Sequence, residues 1–307
     1  MAHAHDHSGP APTGHQHGGP GHAGHDHGPM DFAEMLPLLE QEAELFTPLY
    51  RSAAAWLREM EPEPGLIVDA GSGPGVISCL LADTFPQARV VAVDGEETLL
   101  ERARERAGRR GVADRFGTLR AELGDGLDDL EYPADLLWAS RSLHHVGDQR
   151  AALAGFARSL APGGTLALLE GGLSARFLPR DIGIGRPGLQ ARMDAVHEHW
   201  FAEMRAELPG AVAETEDWPA LLTAVGLRHA ATRSFLLDLP APVSEEARAF
   251  VVMQLTRRRE GLAESLDADD LATLDRLLDP DDKASVHHRP DVFVLLAQTV
   301  HVGVKGE

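Results

Sequence analysis

The stretch Leu66-Ile67-Val68-Asp69-Ala70-Gly71-Ser72-Gly73-Pro74-Gly75-Val76-Ile77 decides the fold. Four apolar or β-favouring residues run into a turn with glycine at every second position, and a helix-compatible run follows. A buried strand that ends in such a turn and re-enters as a helix places free backbone N–H groups against a ligand. A dinucleotide fingerprint needs G-x-G-x-x-G to seat a pyrophosphate, but here the spacing is G-x-G-x-G. Asp69 also precedes the first glycine by two residues. An acid there repels a diphosphate and suits a ligand with a cationic, amino-acid-like end.

Outward from this turn the pattern alternates. Strands are expected at Leu66–Ala70, Arg89–Asp94, Phe116–Glu122, Asp135–Ser140 and Thr165–Glu170. Helices are expected between them, at Val76–Phe85, Glu96–Arg110 and Asp148–Leu160. Strand–helix–strand at this pitch predicts a parallel sheet with helices on both faces. Residues 172–216 interrupt the rhythm with a Gly/Arg/Pro-rich loop (180–188) and a helix from about Gln190 to Glu207. It resumes with a helix at Trp218–Val225, a strand at Arg228–Leu237, helices across 244–278 and a last strand at Asp291–Val300.

The segments before Gly65 differ. Asp31 and Glu34 have capping-box spacing, and Leu36, Leu39, Leu45, Leu49, Ala53, Trp56 and Leu57 recur at helical intervals, with Pro48 expected to divide two helices. Residues 1–30 hold eight of the 16 histidines among Gly, Pro and Ala. Such a segment buries too little to offset its ordering entropy and is predicted to be disordered. Its H-x-H units, His3/His5/His7 and His25/His27, would bind Ni²⁺, Zn²⁺ or Cu²⁺ weakly. An expression tag and inert disorder are the other readings of this tail.

Composition removes several function classes. The 307 residues carry 28 Lys+Arg against 48 Asp+Glu, a formal charge of −20. That balance argues against a protein that grips nucleic acid through phosphates. The single cysteine, Cys79, rules out a disulfide framework, a Cys-based zinc site and two-thiol chemistry. No apolar run is long enough for a membrane span, and no export signal is seen, so a cytoplasmic setting is expected.

Four more segments carry chemistry. Val90-Val-Ala-Val-Asp94-Gly95 is an apolar strand ending in an acid that can accept from ribose hydroxyls. Gly124-Asp125-Gly126-Leu127 follows the third strand, where a carboxylate could take an exocyclic amine. Ser140-Arg141-Ser142-Leu143-His144-His145-Val146 closes the fourth strand. Leu160-Ala-Pro-Gly163-Gly164 is a tight turn into the fifth.

Together, in this order and spacing, these segments resemble the class I S-adenosylmethionine-dependent methyltransferases of the bacterial small-molecule type. The resemblance covers about residues 65–171 well and 217–302 more loosely. It implies an α/β, Rossmann-like three-layer sandwich with a mostly parallel seven-stranded sheet. Residues 31–64 would form a helical cover, 65–302 the methyltransferase domain, and 172–216 a lid insertion. Asp69, Ala70, Gly71, Ser72, Gly73 and Gly75 would wrap the methionine part of S-adenosylmethionine, with Asp94 and Gly95 at the ribose. Gly124, Asp125, Gly126 and Leu127 would frame the adenine, with Ser140 and Arg141 beside the methyl group. His144 and His145 stand either as a base for the nucleophile or in a packing role.

The expected reaction is methyl transfer to an O, N or C nucleophile of a small-molecule acceptor. The alternatives are a non-catalytic nucleoside-binding or metal-handling protein and a protein or peptide methyltransferase. No N/D-P-P-Y/F/W tetrapeptide closes the fourth strand, and Cys79 follows Ser78 rather than Pro, which argues against base methylation. Phe32, Met35, Leu36, Leu39, Phe177 and Trp200 are expected to give an apolar lining for an apolar or aromatic acceptor. His197 and His199, two apart on a helix, are not spaced as a metal pair. Cys79 reads as a core filler.

Overall fold

The computed structural model describes residues 32–61, 63–123 and 127–307. The capping-box residue Asp31 and the whole His-rich tail, with His3, His5, His7, His25 and His27, lie outside the described residues.

Seven strands form one sheet: β1 (Leu66–Ala70), β2 (Arg89–Asp94), β3 (Phe116–Arg120), β4 (Ala134–Ser140), β5 (Leu160–Arg176), β6 (Leu227–Leu239) and β7 (Val294–Lys305). Their order is β3-β2-β1-β4-β5-β7-β6. The first five run parallel, and β7 runs antiparallel to both β5 and β6. This is the mostly parallel α/β sheet expected from the sequence. The chain reverses at β1, where β2 lies on one side and β4 on the other, so the β1 and β4 ends open a crevice suited to a ligand.

Alternation sends successive side chains to opposite faces. Ile67, Val90, Leu136, Trp138, Ala167 and Leu169 enter one core, with α2 (Thr47–Met60), α3 (Val76–Thr84), α8 (Glu245–Gly261) and α9 (Ala268–Leu278). Val68, Ala70, Val93, Leu137, Ala139, Leu166 and Leu168 enter the other, with α5 (Gln149–Ser159) and α7 (Trp218–Ala224). Asp148 and Asp217 cap the last two helices by accepting from Ala151 and Ala220 N–H. Helix α4 (Glu97–Arg110) follows β2. The leading segment forms α1 (Phe32–Leu45) and α2, with Pro48 in the first turn of α2, where a missing N–H costs nothing.

The largest difference from the sequence reading is β5. Expected at Thr165–Glu170, it runs from Leu160 to Arg176, and β7 pairs with it through Arg176–Leu295. Gly171-Gly172 reads as a stop in sequence. In the fold it is a bulge: Gly172 has φ +125°, and a Cβ there would fall 2.1 Å from Ala297 O. The interruption of the alternation therefore begins at Phe177 rather than at residue 172. Helix α6 (Leu189–Glu207) follows it, and β7 extends to Lys305 beyond the expected Val300. β3 stops at Arg120, short of the expected Glu122.

Candidate functional site

The glycine turn after β1 is stitched to the end of β2. Gly71 and Ser72 N–H both donate to Val93 O at 2.9 Å, and Gly73 N–H donates to Asp94 Oδ2 at 2.9 Å. The other Asp94 oxygen takes Glu96 N–H at 3.1 Å. Two of the glycines serve close packing. A Cβ on Gly71 would lie 2.7 Å from Ser142 Cβ, and one on Gly75 would lie 2.6 Å from Ala103 Cβ. Gly73, with φ +53°, has nothing within 4 Å of such an atom, so the backbone there faces an open recess.

Acids rim that recess. Asp94 is half-buried, and burial raises its pKa against the pull of the Glu96 and Gly73 N–H groups. The Glu122 carboxylate lies against Gly95, where a Cβ would meet its Oε1 at 2.7 Å. Open backbone ringed by carboxylates suits ribose hydroxyls and a cationic sulfonium nucleoside and opposes a diphosphate, so the residues present fit S-adenosylmethionine.

Three expected contacts are placed differently. Asp69 is 1% exposed and accepts Ser78 Oγ–H at 2.5 Å, so it braces α3 against β1 instead of lining the recess. Burial pushes its pKa up to about 7, against the Ser78 hydrogen bond that lowers it. Leu127 and Ala70 are core residues packed with Val68 and Ala139. Gly124, Asp125 and Gly126 lie outside the described residues.

At the end of β4, Ser140 is half-buried and Arg141 takes φ +51°, the only described non-glycine residue in the left-handed region. This bend carries Ser142, Leu143, His144 and His145 over the sheet end. Glu170 at the bulge of β5 holds the bend. It is 5% exposed, and its Oε1 accepts Ser142 and Leu143 N–H at 3.0 Å each. Its Oε2 lies 3.3 Å from His144 Nδ1. A carboxylate there favours the proton on Nδ1 and leaves Nε2 as the basic nitrogen. The His145 ring lies 4.1 Å from that of His144. Burial and then the His144 charge pull its pKa down to about 4, although solvent reaches part of the residue, so His145 is neutral near pH 7.

Helix α6 closes on this bend. Arg205 donates to His144 O at 2.9 Å and Val146 O at 2.6 Å, and the Phe201 ring lies 5.9 Å from His144. Val212 N–H donates to Gly147 O at 3.1 Å. Glu170 and Arg205 were not singled out in the sequence. Glu170 had a legible signal, a lone acid ending the apolar run Leu166-Ala-Leu-Leu169. Arg205 had none, because its partners lie about sixty residues away.

Other singled-out residues separate cleanly. Phe177 is 1% exposed and packs edge-on against Phe250, so it belongs to the core rather than to a ligand lining. Trp200 is 41% exposed and stands 5.4 Å from His197, while His199 faces solvent. Met35, Leu36 and Leu39 on α1 are half-buried; the Phe32 side chain lies outside the description. Cys79 is buried, and burial raises its thiol to about 11, so it is inert filler. No group of His, Cys, Asp or Glu among the described residues is arranged to hold a metal, and no described helix is long and apolar enough to cross a membrane.

Comparison with known proteins agrees with this geometry. Residues 67–164 match the methyltransferase domain family. A trans-aconitate 2-methyltransferase of Streptomyces coelicolor is 35% identical over 138 residues, 45% of this chain and 44% of that protein. A tRNA 5-carboxymethoxyuridine methyltransferase of Escherichia coli K12 is 31% identical over 125 residues, 39% of this chain and 47% of that protein. The matched segments thus span under half of the curated relatives' length. In fold, a candidate methyltransferase of Bacillus halodurans superposes with a TM-score of 0.51 at 14% identity, covering 83% of this chain and all of that one. With one relative acting on a tRNA, the acidic balance does not by itself exclude an RNA acceptor.

Proposed function

We propose that the chain is a class I S-adenosylmethionine-dependent methyltransferase and that it transfers the methyl group to an oxygen of a small-molecule acceptor. The observation that carries this reading is the Glu170–His144 pair at 3.3 Å, next to the bend that follows Ser140 and Arg141. S-adenosylmethionine, when bound, supplies an electrophilic methyl on a sulfonium. Gly71, Ser72 and Gly73 would hold its methionine end, Asp94 and Gly95 the ribose, and Ser140 and Arg141 would stand at the methyl.

The chain's own work is alignment, water exclusion and removal of one proton. His144 Nε2 would take that proton from the attacking oxygen while Glu170 holds the ring by Nδ1. His145 would act as a neutral wall. Residues 31–64 would cover the site, and the insertion carrying α6 would be its lid, with Arg205 as the latch. Both named relatives act on carboxyl-bearing acceptors, which makes carboxylic acids one arm of the test and alcohols the other.

The test is release of S-adenosylhomocysteine from S-adenosylmethionine with panels of alcohols and phenols, carboxylic acids and amines, and with bulk tRNA. Turnover with an oxygen acceptor, lost in His144→Gln, supports the reading. Turnover only with amines, tRNA or a protein fraction overturns the small oxygen acceptor, and no turnover with any panel favours a non-catalytic nucleoside-binding role. The tail histidines would bind Ni²⁺, Zn²⁺ or Cu²⁺ apart from this chemistry. Calorimetry of the full chain against one lacking residues 1–29 tests that separately.

A further inference from the structure

Most crossovers in the parallel part of the sheet carry a helix: α3 after β1, α4 after β2 and α5 after β4. The crossover from β3 to β4 differs. Between Arg120 and Ala134 no α-helix occurs among the described residues. This crossover passes back over β2 and β1, so a helix in it would lie on the sheet face that holds α5 and α7. Without one, Leu66, Val91 and Leu119, on three neighbouring strands, are only half-buried on that face. The segment 127–133 arches over them instead. Leu127 is buried and anchors it, and Leu130 N–H closes a turn onto Leu127 O at 3.1 Å.

Floor and arch bound a cavity of about 400 Å³, the size of a small-ligand site. It lies at the strand starts, the length of β1 away from the glycine turn, 5 residues at about 3.3 Å each. Gly117 deepens its floor. This glycine stands mid-strand in β3, beside Val91, with a φ outside the left-handed region. A Cβ there would meet nothing nearer than 3.8 Å, so neither conformation nor crowding calls for glycine. A β-branched residue would suit the strand and cover Val91. A glycine inside a strand often marks a place where a ligand approaches closely.

Charge selects the occupant. Among the described residues of the lining, the cation Arg89 stands against Asp129, Glu131 and Asp135. Arg89 Nη1 comes only within 3.7 Å of Glu131 Oε2, and both side chains are more than half exposed. Asp135 Oδ2 is taken by Gly65 and Leu66 N–H at 2.9 Å each. An excess of negative side chains over an apolar floor attracts an ammonium and repels a carboxylate. Tyr132, 60% exposed at the mouth, adds an aromatic ring that favours a cation further.

We propose that this cavity is a second ligand site, for an amine cation on a flat apolar body such as an arylalkylamine. The ring would lie on Val91, Gly117 and Leu119, and the ammonium would take Asp129 and Glu131 at the rim. The site is separate from the methyl-donor recess, and its occupant is not the methyl acceptor.

Spectra of ring-labelled tyrosine test it on the full chain with S-adenosylhomocysteine present. The chain has two tyrosines, the buried Tyr50 and the exposed Tyr132. Phenethylamine is expected to shift the Tyr132 signals and leave those of Tyr50 in place. Its anionic counterpart, 3-phenylpropanoate, is expected to bind about tenfold more weakly or worse. Gly117→Val fills the floor without a clash and should weaken phenethylamine by about tenfold or more. Glu131→Gln should weaken it by about threefold. S-adenosylhomocysteine binding should be unchanged in both variants. Tyr132 signals that ignore phenethylamine overturn the site. So does equal binding of the two probes, or phenethylamine binding unaltered in Gly117→Val. If that variant does not fold, Glu131→Gln and the order of the probes on the unaltered chain decide.

Discussion

Glu170 Oε2 lies 3.3 Å from His144 Nδ1, while Oε1 of the same carboxylate takes two backbone N–H groups of the bend that carries the histidine. One buried acid thus shapes the bend and selects the histidine tautomer. Glu170→Gln can keep its one oxygen on the two backbone N–H groups but then turns an NH₂ donor toward His144 Nδ1 in place of an acceptor. It is expected to cost about 2 kcal/mol of stability and to lower turnover by about a hundredfold. Nitrogen-15 spectra of labelled histidine check this without an acceptor. His144 should be protonated at Nδ1 in the unaltered chain and mixed in the variant; identical spectra would remove Glu170 from this role.

The glycine turn makes a paired prediction. Gly75→Ala places a Cβ 2.6 Å from Ala103 Cβ at φ +74°, and is expected to cost on the order of 3 kcal/mol. Gly73→Ala meets no atom within 4 Å and should cost only about 1–2 kcal/mol of backbone strain. It should nevertheless weaken S-adenosylhomocysteine binding, because its methyl occupies the recess. Thermal melts and calorimetry on the two variants separate packing from ligand contact.

Asp69 predicts a pH signature. Its pKa is raised from 3.8 to about 7 in the fold, chiefly by burial. Between those values the folded chain keeps a proton that the unfolded chain releases, so this residue's contribution falls as pH rises and levels off above about 7. Asp69→Asn can still accept from Ser78 and carries no charge. Its stability relative to the unaltered chain should therefore increase from pH 4 to 7, by up to a few kcal/mol, and then stay flat. A difference independent of pH in denaturant titrations would refute the buried, uncharged state.

Much of this was legible in the chain. The switch from helical spacing to short apolar runs at Gly65 located β1 to β4. Each strand is local and ends in a turn residue whose chemistry is visible in sequence. Asp94 is legible as an acid ending an apolar strand, while its hold on Gly73 N–H, 21 residues earlier, is not. The long course of β5 was hidden, since Gly171-Gly172 marks a stop unless the partner strand, more than a hundred residues later, is known to continue. Asp69 adjoins the glycine turn in sequence, but alternation with Val68 and Ala70 in β1 sends its side chain inward, toward Ser78. Arg205 matters only through partners distant in sequence.

Arg205 should act as a latch between α6 and the histidine bend. Arg205→Ala removes two charge-assisted bonds to His144 O and Val146 O, a loss of about 1–3 kcal/mol locally. Hydrogen exchange should then quicken in residues 143–147 and in the last turns of α6, with β1 and β4 unchanged. Equal exchange in both regions would make the contact incidental.

The central claim is that the recess at Gly73, rimmed by Asp94, accepts a sulfonium nucleoside. Isothermal titration with S-adenosylhomocysteine and, separately, with NADH tests it most directly. One equivalent of S-adenosylhomocysteine is predicted to bind, at least tenfold more weakly in Asp94→Ala, with no heat from NADH. Heat from NADH alone, or S-adenosylhomocysteine binding untouched by the loss of Asp94, would contradict it.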